Sequence, residues 1–435
     1  MQTTDGDSKP WVIIVGAGPA GLLLALLLAK ANIRVQLVEQ TKELDKQPRA
    51  THYGAPAIHE LRRAGILDEV RAEGFCPRGV CWRKLDGTRI AGLSNASETE
   101  DPDTMTCLPL NRLGAILYEH VKKQPLATIS FDHTVVGIGQ DEDHAWIDVE
   151  TPDGDQRLSA SYIVGCDGAN SQIRRSLFGD WEFPGRTWDQ QIVATNTYYD
   201  FRKFGWEDAN FIVHPEHFFM AALIGKDGLW RVTYGDIPGL TQQELLARQP
   251  QKFKQFLPGA PDPDQYKVVN ISPYKIHQRL AASMRVGRFL LAADAAHLCN
   301  PFGGMGLTGG IVDIGGLFDC LNGIHKGLAD DSILDKYSEI QRAKYNEIVD
   351  PVSSANIRRL FDQDPETAGE KDEFFLLCKK AESDPALARQ MQHGANALKY
   401  DFTQHYKAGQ DLVKKDVAPI TVGSEKTPVA VSVAD

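Results

Sequence analysis

Asp294 stands at the end of a short apolar run, 289–293, and is followed within sixteen residues by Pro301 and five glycines at 303, 304, 306, 309 and 310. An apolar run of that length suits a buried strand. The strand would deliver one carboxylate to its end. The glycines let a backbone approach a ligand closely. The helical pattern that follows, from about Thr308 to residue 324, would offer free N–H groups and a partial positive charge at its start. Strand, acid, glycine loop and helix start together suit a polar or anionic ligand. A second constellation opens the chain. Gly16-Ala17-Gly18-Pro19-Ala20-Gly21 lies between an apolar run at 11–15 and a helical pattern at 22–31, and Glu39 ends the next run. Gly16 would make the tight turn, Gly18 would admit a pyrophosphate, Gly21 would let helix pack on strand, and Glu39 could accept from a ribose. A dinucleotide site is expected here. A third segment, Cys166-Asp167-Gly168-Ala169-Asn170-Ser171, follows a run at 162–165.

These residues need elements to hold them. The chain has 435 residues, of which 42% are hydrophobic and 24% charged. That is a globular composition with room for two or three domains. A net charge of −11 argues against nucleic acid as partner. No apolar run is long enough to span a bilayer. The N-terminal MQTTDGDSKP lacks a basic-then-apolar leader, so a cytoplasmic protein is expected. The seven cysteines form no metal-ligand set.

The reading is α/β. Residues 10–179 and 286–330 form a split, Rossmann-like nucleotide-binding domain. Helices are expected at 54–64 and 111–123, and strands at 127–131, 134–138, 144–150 and 162–165. Residues 180–285 form an inserted substrate domain with an antiparallel sheet, its strands near 190–199, 209–213, 217–224 and 229–235. A helix is expected at 241–256. Residues 331–412 form a C-terminal helical region, and 413–435 a flexible tail.

The three motifs in this order resemble the para-hydroxybenzoate hydroxylase-like family of FAD-dependent aromatic hydroxylases, over roughly residues 10–350. The resemblance implies a Rossmann-like FAD domain split by a substrate-binding sheet. It implies that Gly16, Gly18, Ala20 and Gly21 meet the FAD pyrophosphate, and that Glu39 holds the adenosine ribose. Arg49 and Arg112 would reach the FAD, the backbone of Val136 the adenine, and Asp167 both FAD and the nicotinamide nucleotide. Asp294 would bind the ribitol or ribose hydroxyls. Pro301, Gly304, Met305, Gly306 and Leu307 would line the flavin ring. The implied activity is NADPH- or NADH-dependent hydroxylation of a phenolic small molecule with O2, by way of a flavin C4a-hydroperoxide. The expected assembly is a monomer or homodimer. Two residues depart from the family pattern. Ala293 replaces the glycine before Asp294, which is tolerable if the backbone there keeps a negative φ. Thr308 replaces an asparagine, keeping a hydroxyl and losing an amide.

Substrate-side candidates come from the inserted sheet. In the strand 229–235, Trp230, Val232 and Tyr234 share one face, and Arg231 and Thr233 the other. Tyr234 is expected on the substrate face, with Arg202 as an anion anchor; His214 is a third catalytic candidate, though Pro215 after it suggests a turn. The alternatives are an FAD-dependent reductase or a non-oxygenating flavoprotein on the same fold. The Trp-rich motif of flavin halogenases is absent, and too few residues follow 350 for the thioredoxin-like domain of phenol hydroxylases.

Overall fold

In the computed structural model, residues 9–94 and 100–407 are described. In chain order, β1 (Val12–Val15), α1 (Pro19–Lys30) and β2 (Val35–Val38) form the opening βαβ unit. The short strand β3 (His52–Tyr53) precedes α2 (Ala55–Arg63) and α3 (Leu67–Glu73). A hairpin of β4 (Gly79–Arg83) and β5 (Arg89–Ser94) comes next, then β6 (Thr106–Cys107) and α4 (Leu110–Lys122). Five strands follow: β7 (Ala127–Ser130), β8 (Thr134–Gln140), β9 (Ala145–Glu150), β10 (Gln156–Ala160) and β11 (Tyr162–Gly165), closed by α5 (Gln172–Phe178). The middle block holds β12 (Gly185–Tyr198), β13 (Ala209–Ile212), β14 (Phe219–Leu223), β15 (Leu229–Asp236), α6 (Gln242–Phe256) and β16 (Lys267–Leu280). The chain returns through β17 (Arg285–Val286), β18 (Phe289–Leu291), β19 (His297–Leu298) and α7 (Met305–His325). It then runs through α8 (Ile333–Lys344) and α9 (Asp350–Phe361).

One sheet has the order β17-β18-β11-β1-β2-β7, parallel from β18 to β7. Its strands read as continuous apolar runs because helices cover them. α1 is apolar on nearly every side and buried along most of its length, as expected of a helix inside a core. The crossover places the loops after β1, β11 and β18 at one end of this sheet, so all three sequence motifs meet there.

An eight-stranded sheet, holding the strands expected of the substrate domain, has the order β19-β16-β12-β15-β14-β13-β4-β5. It is not confined to 180–285: β4 and β5 join it from the first segment, and β19 from the glycine-loop segment. β16 runs through 267–280, where its mixed composition hides the alternation. The C-terminal helices buttress the glycine loop rather than standing apart. α8 continues through a π-helical turn, Tyr345–Val349, into α9. Pro351 lacks an N–H, and the wider turn before it absorbs the lost hydrogen bond. The expected tail at 413–435 lies outside the described residues.

Candidate active site

The first glycine loop is fixed by contact. Gly16 has φ +106, and a Cβ there would lie 2.5 Å from the carbonyl oxygen of Cys166. A Cβ on Gly21 would lie 2.1 Å from the oxygen of Gly16. No atom crowds the Cβ position of Gly18, so the loop is tight inside and open outward. Glu39 accepts from the backbone N–H of Ala17 at 2.8 Å and from Thr41 at 2.9 Å. Asp167 is engaged at the start of α5: its carboxylate accepts from Ser171 Oγ at 2.5 Å and from the Ile173 N–H at 3.1 Å. Burial raises its pKa against those hydrogen bonds. Arg49 pairs with Asp45 and Arg112 with Glu73, both at 2.7 Å and both exposed. Val136 occupies a bulge between Val135 and Gly137 on β8, where a backbone group is left without its usual ladder partner.

The second loop follows β18. Asp294 is solvent-accessible, yet enclosure by protein raises its carboxyl above the ordinary range, against the opposing pull of His297 and Arg49. Pro301–Gly303 forms a 3-10 turn, with the Asn300 side chain accepting from the Phe302 N–H at 3.1 Å. Gly304 follows with φ +62. α7 begins at Met305, three residues before the expected Thr308, so the N–H groups of Met305, Gly306 and Leu307 belong to its first turn. Thr308 accepts from the Gly54 N–H at 3.2 Å, tying α7 to the segment after β3.

At Ala293 the structure corrects the expectation. Its φ is +54, not negative. A left-handed alanine costs roughly 1–3 kcal/mol, so this turn is held by its surroundings.

The candidates of the inserted sheet have surroundings other than expected. Tyr234 is fully buried on the face covered by α6, packed against Phe253 and Phe256. Burial raises its pKa, and its hydroxyl has no partner among the described residues. Strand alternation was right, but α6 claims the larger aromatic face. Arg202 pairs with the buried Asp208 at 3.0 Å, beside Arg78, in an open surface cleft. The His214 ring caps a turn, accepting at Nδ1 from the N–H groups of Glu216 and His217.

The opposite face carries Arg231, directly across from Asn196. Arg231 Nε donates to Asn196 Oδ1 at 2.8 Å, and its Nη2 to the carbonyl of Pro48. Both partners are neutral, and no carboxylate among the described residues pairs with this guanidinium. Burial lowers its pKa. Two further polar atoms nearby lack partners, His52 Nε2 and Asn196 Nδ2. His52 is pushed down to about 4, by burial first and then by Arg231, and its Nδ1 meets Thr51 Oγ1 at 2.8 Å. Tyr274 lies on the same face, pushed up to about 12 by its enclosure although Arg231 pulls the other way. Residues 47–54 form the seam: they meet Arg231 and Asn270 on one side and Thr308 of α7 on the other. Arg231 was visible in the sequence by its parity opposite Tyr234. His52 and Tyr274 gave no local signal.

The chain matches the FAD binding domain family over residues 9–352. It is 37% identical over 392 residues to a para-nitrophenol 4-monooxygenase of Pseudomonas sp. (strain WBC-3), covering 90% of this chain and 95% of that one. It is 38% identical to the 6-hydroxy-3-succinoylpyridine 3-monooxygenase of Pseudomonas putida (strain DSM 28022 / S16), over 82% of this chain and 90% of that one. Among solved structures, the p-nitrophenol 4-monooxygenase of Pseudomonas putida DLL-E4 superposes with a TM-score of 0.84 at 36% identity, covering 90% of this chain and 98% of that one. The open glycine loop, the exposed Asp294 carboxyl group and the start of a 21-residue helix are a donor set that fits FAD. The chain belongs to the family of FAD-dependent aromatic hydroxylases and is a flavoprotein monooxygenase.

Proposed function

We propose that this enzyme takes a para-substituted phenol as its phenolate and oxygenates the ring carbon that bears the substituent. NADPH or NADH and O2 are the co-substrates. Arg231 carries the reading. A half-buried guanidinium with only neutral partners is costly unless an anion completes it, and a phenolate oxygen is such an anion. His52 Nε2 and Asn196 Nδ2 are unpartnered atoms that a substrate hydroxyl or substituent would satisfy. In the names of both relatives, the oxygenated position already carries a substituent and lies opposite a ring hydroxyl.

FAD, when bound, supplies reduction by the nicotinamide nucleotide and activation of O2. Gly16, Gly18, Ala20 and Gly21 would receive its pyrophosphate, Glu39 the adenosine ribose and the Val136 backbone the adenine. Asp294 would hold the sugar chain. Pro301, Gly304, Met305, Gly306 and Leu307 would line the ring, where the positive end of α7 favours negative charge. Arg49 would reach the FAD by leaving Asp45, and Arg112 by leaving Glu73; the Asp167 loop supports the first glycine.

On the substrate, the phenolate's electrons form the bond from the substituted carbon to the oxygen delivered from O2, which turns the phenolate C–O into the first carbonyl. The new hydroxyl then loses its proton and forms the second carbonyl as the carbon–substituent bond breaks with its electron pair on the leaving group, which leaves a quinone. The test is a panel of phenols bearing nitro, halide or acyl groups at the para position, with meta isomers as controls. Para isomers should stimulate NAD(P)H oxidation and release the substituent in proportion to O2 consumed. Stimulation by meta isomers alone, or product that keeps the para substituent, would overturn the reading.

A further inference from the structure

The left-handed turn at Ala293 immediately precedes the exposed Asp294, and its restraints are specific. The Ala293 N–H donates to Asp313 Oδ2 at 3.0 Å. The same oxygen meets His297 Nε2 at 2.7 Å. The other oxygen, Oδ1, accepts from Gln341 Nε2 at 3.0 Å. Asp313, His297 and Gln341 are all buried. Burial alone would lower the His297 pKa, but Asp313 and then Asp294 raise it overall. Space is matched as well. A Cβ on Gly310 would lie 2.8 Å from the Cβ of Ala293, so the methyl group at 293 occupies room that the missing side chain at 310 leaves free.

We infer that Asp313, with His297 and Gln341, is a positioning device for the flavin site: it clamps Ala293 in a conformation alanine disfavours and thereby holds Asp294 in register with the FAD sugar chain. None of the three need touch the cofactor. Asp313 sits one helical turn beyond Gly310 on α7, the helix whose start lines the flavin ring. The clamp therefore couples both ends of the flavin-binding loop through one carboxylate. An alanine at 293 makes the device necessary, because glycine would adopt φ +54 without help.

The inference is tested by rescue. Asp313→Ala removes both acceptor oxygens, so the turn should relax. FAD dissociation constants, measured by flavin fluorescence on reconstituted apoprotein, should rise at least about tenfold. The visible circular dichroism of the bound flavin should change too. Adding Ala293→Gly to Asp313→Ala should restore affinity to within about threefold of wild type, because the turn no longer needs the clamp. A merely structural role for Asp313 predicts a lower Tm that Ala293→Gly does not repair in FAD affinity, and that result would overturn the inference. A second route avoids the buried charge. Gly310→Ala should weaken FAD binding by crowding the Ala293 methyl group, and Gly310→Ala with Ala293→Gly should recover it. Unchanged affinity in Gly310→Ala, or failure of the paired substitution to recover it, counts against the clamp. None of these readouts depends on the phenol, so failure here is separable from failure of the proposed substrate class.

Discussion

At the scale of single residues, the account turns on which face of β15 meets the substrate. Strand alternation correctly separates Arg231 from Tyr234, but alternation cannot say which face a helix will cover. α6 packs over Tyr234, and Arg231 is left on the opposite face, against Asn196 and Pro48. Replacing Arg231 by Met should raise the KM for a phenol by roughly 10- to 100-fold, as expected for loss of a charge-assisted hydrogen bond of about 1.5–3 kcal/mol. It should also remove a pH effect. In wild type the KM should fall as pH rises through the phenol's own pKa, because the phenolate is the bound form; in Arg231→Met that slope should flatten. Tyr234→Phe is the internal control. It removes an unpartnered buried hydroxyl, so coupling should be unchanged and Tm equal or slightly higher. Steady-state kinetics across pH on the two variants separate the faces. The nucleotide residues were more legible, since Gly16, Gly18, Gly21 and Glu39 sit in one local motif. Ala293 was legible as a departure but not in its consequence, because φ is set by Asp313, twenty residues away.

At the scale of elements, the helices and strands of the nucleotide fold were readable because each is a local periodic run. β4, β5 and β16 were not, since their pairing is with distant strands and their patterns are mixed. α7 was recognised, but its contacts with α2 were not. Glu60 of α2 is buried against Gly315 of α7, where a Cβ would lie 2.3 Å from the Glu60 Cδ. Its carboxyl is pushed up to about 7, first by burial and further by Asp319, with Arg63 and Lys399 opposing. A carboxyl that holds its proton more tightly when folded loses stability as pH rises from its unfolded value to its folded one. The penalty should therefore grow between about pH 4.5 and about 7, reaching up to about 3 kcal/mol. Glu60→Gln should flatten that slope and raise Tm at pH 8, with little effect near pH 4.5. Arg63 keeps Asp319 as partner in the variant. Thermal melts across this range check the sign: a Tm at pH 8 below that of wild type would contradict it.

At the scale of the molecule, two sheets and a helical buttress are joined through one segment. The parallel sheet brings its three loops to one end; the eight-stranded sheet carries Arg231; residues 47–54 bond to Arg231 on one side and to Thr308 of α7 on the other. Among the described residues no helix is long and apolar enough to cross a membrane. No group of three or more His, Cys, Asp or Glu among them could hold a metal ion. The split of the nucleotide fold was visible in motif order, but the share of 79–94 in the substrate sheet was not, because sheet membership is a long-range property. The central claim is that this fold delivers oxygen to a phenol ring. It is tested most directly by turnover under oxygen-18 gas with a para-substituted phenol, NADPH and ascorbate, which traps the quinone as the hydroquinone. The account predicts one oxygen-18 atom in the product, at the carbon that lost its substituent. Product oxygen drawn only from water would contradict it.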